Sequence, residues 1–228
     1  MTISGIVKSS LVDYPGIVAC VLFVPGCSYN CFYCHNRSLI DGTHDIISLQ
    51  YIKDFLLKRA GLLDGVVITG GEPTLQPDLI PYMEMIKGLG FKLKLDTNGS
   101  SPQVIAQLLQ AGLCDYYAVD YKAPAKKYPE FCGDSANAET VIDTIGLLLE
   151  HHAAFEIRTT VIPQLNGEDF VCMAKELPVV PRYVLNRYRK PDKFLPCDQL
   201  RVEQTPYTQA QIDTFANLIR TWQPNVTA

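Results

Sequence analysis

The chain has 228 residues, 47% of them hydrophobic and 19% charged, with a formal net charge of −4. That composition describes one globular domain and excludes a disordered chain, and the mildly acidic balance argues against nucleic acid or an anionic membrane as partner. The longest apolar run, Ile17 to Val24, is too short to cross a bilayer, and the N-terminal MTISGIVKSSLVDYPG lacks the charged-then-apolar order of a secretory signal, so a cytoplasmic protein is expected.

In chain order, IVACVLFV (17–24) reads as a buried strand that runs into a loop with three cysteines. Ser48 is a helix N-cap, and the helical periodicity of LQYIKDFLLKRAGLL follows it. GVVIT (65–69) is a strand ending in GGEPT, 77–90 a helix, and FKLKL (91–95) a strand ending in DTNG. A helix over 101–112 closes on Gly112, DYYAVDY (115–121) is a strand, and 139–152 is a helix. FEIRTTVI (155–162) is a strand, 167–177 a helix, 182–188 the last strand, and 208–222 the closing helix. Six strands alternating with helices predict a parallel sheet with right-handed crossovers in one domain over 1–228. Pattern alone leaves open whether that sheet is flat or curled. The stretch 189–206, rich in proline and charge, is the least regular segment.

The loop GCSYNCFYCHN places Cys27, Cys31 and Cys34 within eight positions and His35 directly after them. Clustered cysteines in a reducing compartment point to metal binding, and the other five (Cys20, Cys114, Cys132, Cys172, Cys197) are scattered and read as incidental thiols. C-x-x-C-H is also a haem-attachment string, but covalent haem of that type goes with export. Zinc asks for four ligands around one point, and Cys34 and His35 are neighbours that cannot easily share an ion. A [4Fe–4S] cluster takes one thiolate per iron, so three cysteines leave one iron open to a small molecule, the strongest physical reading of the loop.

In parallel α/β sheets the site lies at the carboxyl ends of the strands. There the predicted strands deliver the thiol trio, Gly70-Gly71-Glu72, Asp96-Thr97-Asn98-Gly99, Asp120 with Lys122, and Arg158. Singly each has a plain structural reading, as first-turn charge, turn or ion pair. Together they predict a convergent site.

Cys27-x3-Cys31-x2-Cys34, with Tyr33 before the last cysteine and GGE downstream, resembles the signature of the radical S-adenosylmethionine (SAM) superfamily. VDYPG (12–16), DTNG, VDYKAP and RTTVIP, in this order, resemble the glycyl-radical-enzyme activases, most of all those of anaerobic ribonucleoside-triphosphate reductase; the likeness runs from about residue 3 to about residue 190. It implies a partial (β/α)6 barrel of the radical SAM type, with a core at about 15–190 and a C-terminal helix at about 208–222. It implies a [4Fe–4S] cluster on Cys27, Cys31 and Cys34, with SAM on the open iron. Tyr33 would pack on the adenine, and Gly70, Gly71 and Glu72 would meet the methionine ammonium. Asp96, Thr97 and Asp120 would lie near the carboxylate or ribose, with room for a monovalent cation, and Lys122 and Arg158 would contact the carboxylate.

The activity so implied is reductive cleavage of SAM to a 5′-deoxyadenosyl radical that makes a glycyl radical on a partner, with flavodoxin or ferredoxin as electron donor. The alternative is a radical SAM enzyme for another glycyl-radical protein or for a small molecule. Two departures stand out. No cysteine falls between 35 and 69, so an inserted ferredoxin-like module is absent, and Leu185-Asn186-Arg187-Tyr188 lacks the last-strand histidine of pyruvate formate-lyase-type activases, leaving Asn186 or Tyr188 as stand-ins. His35 is read as holding the loop by a hydrogen bond, and Tyr14-Pro15-Gly16 as a plain turn.

Overall fold

The computed structural model describes residues 1–228. Eight strands form one sheet in chain order: β1 (Gly5–Ser10), β2 (Ala19–Val24), β3 (Gly65–Gly70), β4 (Lys92–Thr97), β5 (Tyr116–Asp120), β6 (Phe155–Val161), β7 (Tyr183–Arg187) and β8 (Val226–Thr227). The six expected strands are β2 to β7, all parallel; β1 is added antiparallel to β2, and β8 parallel to β7. The two end strands do not pair, so the sheet stays open, and Arg158 of β6 reaching past β5 to Asp96 of β4 marks the concave inner face of a partial barrel.

Nine helices accompany it: α1 (Arg37–Ile40), α2 (Leu49–Arg59), α3 (Leu79–Gly88), α4 (Pro102–Ala111), α5 (Tyr128–Cys132), α6 (Ala138–Glu150), α7 (Gly167–Glu176), α8 (Gln199–Val202) and α9 (Gln209–Ile219). The short α1, α5 and α8 are additions to the six predicted from periodicity. Ser48 caps α2, its Oγ accepting from the Tyr51 N–H at 3.2 Å, and α4 ends on Gly112 in the left-handed region, φ 61°. No helix is long and apolar enough to cross a membrane.

Alternation along each strand separates two faces. One face, with Cys20, Leu22, Val66, Ile68, Leu93, Leu95, Tyr117 and Val119, belongs to the large core under the helices. The other lines the inside of the barrel and changes character around the sheet. On β2 and β3 it is apolar (Ala19, Val21, Val67), and on β4 to β6 it carries Lys94, Asp96, Asp120, Glu156 and Arg158. Burying so many ionised groups is tolerable only if they pair with one another.

Tyr14 opens the expected turn, its carbonyl accepting from the Ile17 N–H at 3.1 Å, and also packs inside the barrel. It is buried, its ring 6.0 Å from that of Tyr116, and with Ile17 it closes the floor of the barrel below β3. A Cβ at Gly65 would stand 2.8 Å from Ile17 Cγ2 and 3.1 Å from the Tyr14 ring, which explains a glycine at the start of that strand. The barrel is therefore plugged below and accessible above. The irregular stretch 189–206 folds back over the cysteine loop: Arg201 of α8 lies 3.9 Å from the centroid of Phe32 and donates from Nη2 to the Glu130 carbonyl at 3.1 Å.

Candidate functional site

The cysteine loop is fastened before any ligand is considered. At the end of β3 the backbone extends the ladder onto the start of the loop: Gly71 N–H donates to the Val24 carbonyl at 2.8 Å and Glu72 N–H to the Gly26 carbonyl at 2.7 Å. A Cβ at Gly71 would lie 1.9 Å from the Gly26 oxygen, and one at Gly70 (φ 119°) 2.5 Å from Val24 N and O. The two glycines are thus required by the approach of chain to chain. Asn36 donates from Nδ2 to the Gly70 carbonyl at 2.8 Å and ties the far end of the loop to the same strand.

Within the loop the Tyr29 N–H points at Cys27 Sγ (3.4 Å), as does Asn98 Nδ2 (3.8 Å). Burial pushes the Cys27 thiol up to about 12 and raises Cys34 as well; Cys31 is raised by a hydrogen bond with Cys132 and by burial. Bound metal is the natural reason to deprotonate such thiols. Cys27, Cys31 and Cys34 line one cavity, of about 220 Å³. Three thiolates on one wall match the one-thiolate-per-iron demand of a cubane with one iron left open. The donor set fits a [4Fe–4S] cluster.

Across the cavity from the thiols runs a chain of alternating charge. Lys94 Nζ lies 2.5 Å from Asp96 Oδ1, Arg158 Nη1 3.0 Å from Asp96 Oδ2, Arg158 Nε 3.1 Å from Asp120 Oδ1, and Lys122 Nζ 3.0 Å from Asp120 Oδ2. All four carboxylate oxygens therefore accept from a protein cation. Asp120 and Arg158 are direct register partners on β5 and β6, which brings the pair together without a long reach. Burial works against ionising Asp120, but Lys122 and Arg158 hold its carboxyl down at about 2. Its folded value lies below the unfolded one, so its stabilising contribution is in place above about pH 4 and disappears only as pH falls through about 2. Lys122 and Arg158 are both raised: burial opposes their charge and the aspartates outweigh it. Arg158 keeps its Nη2 donors, and Lys122 part of its ammonium, free for a ligand.

Of the residues singled out from sequence, the three cysteines, Tyr33, Gly70, Gly71, Asp96, Thr97, Asp120, Lys122 and Arg158 all line this cavity. Glu72 does not. It is 0% exposed, and its carboxylate accepts from Thr74 N (3.1 Å), Thr74 Oγ1 (2.6 Å), Thr97 Oγ1 (2.7 Å) and Asn98 N (2.7 Å). Three of these donors meet Oε1 and one meets Oε2, so the carboxylate is engaged largely within the protein and pins the end of β4 to the end of β3. Glu72→Gln, which turns an NH2 toward those donors, is expected to lower the unfolding free energy by about 1–3 kcal/mol in urea titration. An unchanged midpoint would return Glu72 to the ligand side.

The last-strand candidates also lie elsewhere: Tyr188 spends its hydroxyl on the Val202 carbonyl at 2.8 Å, and Asn186 is exposed at the end of β7. His35 is exposed on the cavity wall and its ring makes no hydrogen bond; Asn36 does the fastening expected of it. Sequence reasoning passed over Tyr29, whose buried hydroxyl has no partner, as well as Thr160 and Lys94. Thr160 could have been found from its spacing two residues beyond Arg158.

A family model, that of the Radical SAM superfamily, matches residues 21–177. A Methanocaldococcus jannaschii protein provisionally named a glycyl-radical enzyme activating enzyme is 34% identical over 199 residues, 84% of this chain and 82% of its own length. Among solved structures, a domain of pyruvate-formate lyase-activating enzyme from Bacteroides vulgatus superposes with a TM-score of 0.55 at 21% identity, over 72% of this chain and 97% of that one. Streptococcus suis SuiB bound to its precursor peptide SuiA gives 0.67 at 13% identity, over 90% of this chain and 47% of that one. At such identities both likenesses speak for the fold.

Proposed function

The chain belongs to the radical SAM superfamily, and from that footing we propose that it activates a glycyl-radical enzyme in the cytoplasm, with anaerobic ribonucleoside-triphosphate reductase as partner and a flavodoxin or ferredoxin as electron donor. The observation that carries the reading is that three thiols and the cations of the ion chain, Arg158 and Lys122, line one open cavity.

A bound [4Fe–4S] cluster would supply the electron for reductive cleavage of SAM, the chemistry by which a glycine of the partner would be activated. The residues of the chain do the rest. Cys27, Cys31 and Cys34 would hold the cluster, with SAM bound beside it. Arg158 and Lys122, with donors to spare, hold the carboxylate by charge-assisted hydrogen bonds. Tyr33 flanks the adenine, and Asp96, Thr97 and Asp120 keep the cations in place beside it. The plug of Tyr14 and Ile17 shuts the floor, so ligand and partner enter from above, where the open edge of the barrel gives a protein loop room.

The test is anaerobic incubation of the cluster-loaded protein with SAM, reduced flavodoxin and the ribonucleotide reductase, read by electron paramagnetic resonance. The doublet of a glycyl radical on the reductase is expected. Consumption of SAM with no doublet would make the chain a radical SAM enzyme of another substrate.

A further inference from the structure

Lys94 stands where a barrel floor would ordinarily take an apolar side chain. It is 1% exposed, and its register neighbours on the same face are Val67 of β3 and Tyr116 of β5. A buried ammonium is costly unless it is paired, and here it is paired once, to Asp96 Oδ1.

Its effect on the ion chain follows from counting. Asp96 and Asp120 carry two negative charges; Arg158 and Lys122 carry two positive ones. Those four groups would cancel, and an arriving carboxylate would have to compete with both aspartates for the same two cations. Lys94 brings the set to three cations against two anions. It takes Asp96 Oδ1, so that Arg158 is shared less tightly, and leaves one positive charge in excess on the cavity wall. Of the other acids nearby, Glu156 is bound to Arg182 at 3.2 Å and to the Tyr116 hydroxyl, and Glu72, whose carboxylate meets only neutral donors, touches none of these three cations.

Resting on the reading of the site as a SAM pocket, we infer that Lys94 is a positioning residue that acts as a built-in cation: it neutralises Asp96 from below and thereby supplies the excess charge that receives the SAM carboxylate. The likeness to the activases implies a dissolved monovalent cation beside these aspartates. With every carboxylate oxygen already facing a protein cation, this chain binds SAM without one.

The experiment measures SAM affinity of the anaerobically cluster-loaded protein by equilibrium dialysis, in potassium chloride and in choline chloride at equal ionic strength. Wild type is expected to bind SAM equally well in both salts. Lys94→Met is expected to bind about tenfold more weakly in choline, the effect of removing one partly screened charge a few ångströms away, and to recover in potassium. A merely structural lysine would give no recovery by potassium. Wild-type affinity that rises several-fold with potassium overturns the inference, whether or not the variant folds, and so does a Lys94→Met protein that binds as wild type does in choline. Wild type that binds no SAM in either salt overturns the SAM reading itself.

Discussion

Cys31→Ala is expected to give a folded protein that holds no [4Fe–4S] cluster. Cys31 is the middle cysteine of the loop and the buried one of the three. Replacing its thiol by a methyl removes one small buried group, at a stability cost on the order of 1 kcal/mol, well within what a domain of this size tolerates. The cluster, by contrast, loses one of three protein ligands. Cys132 touches Cys31 from behind but does not line the cavity, so it is not placed to take over. Iron per protein should fall to near zero after reconstitution while far-ultraviolet circular dichroism keeps its α/β shape. Full cluster iron in the variant would contradict the ligand assignment.

Gly71→Ala is expected to be the most damaging single methyl in the chain. The added carbon would need the space of the Gly26 carbonyl oxygen, 1.9 Å away, and that oxygen is backbone and cannot swing aside as a side chain would. Gly26 would move, and with it the hydrogen bond it accepts from Glu72 and the position of Cys27 next to it. Overpacking of this kind costs roughly 1–3 kcal/mol where neighbours can shift, and more where they are backbone. The thermal midpoint should drop by several degrees, about 2–4 °C per kcal/mol for a chain of this length, and cluster loading should fall with it. A variant with wild-type midpoint and full iron would show that the joint between β3 and the cysteine loop is looser than the contact implies.

What was legible in the sequence divides along physical lines. The six parallel strands could be read because a strand buried on both faces is a short β-branched run between turn residues, as IVACVLFV and GVVIT are. β1 escaped because GIVKSS is an edge strand with exposed Val7, Lys8 and Ser9, and β8 because it is two residues long. The site was largely legible: residues that follow the carboxyl ends of parallel strands converge whatever the details of packing, and the cysteine spacing is unusual enough to stand by itself.

Lys94 was missed for the opposite reason. FKLKL alternates as a half-exposed strand would, and alternation cannot tell solvent from the polar inside of a barrel. Glu72, expected at the cavity, faces β4 instead, because the direction of a side chain just past a strand depends on the backbone of Gly70, whose positive φ turns the chain there. Arg201 could not have been found at all, since its partner Phe32 is remote in sequence and a single arginine in a proline-rich stretch carries no pattern.

The most direct test of the account is a count of product. Anaerobically reconstituted protein, dithionite and SAM are incubated together, and 5′-deoxyadenosine is quantified by mass spectrometry beside the Cys31→Ala variant. The account predicts 5′-deoxyadenosine and methionine in equal amounts from the wild type and none from the variant. A wild-type cluster that loads and is reduced while SAM stays intact, with the reductase present, would contradict it and leave an electron-transfer module in its place.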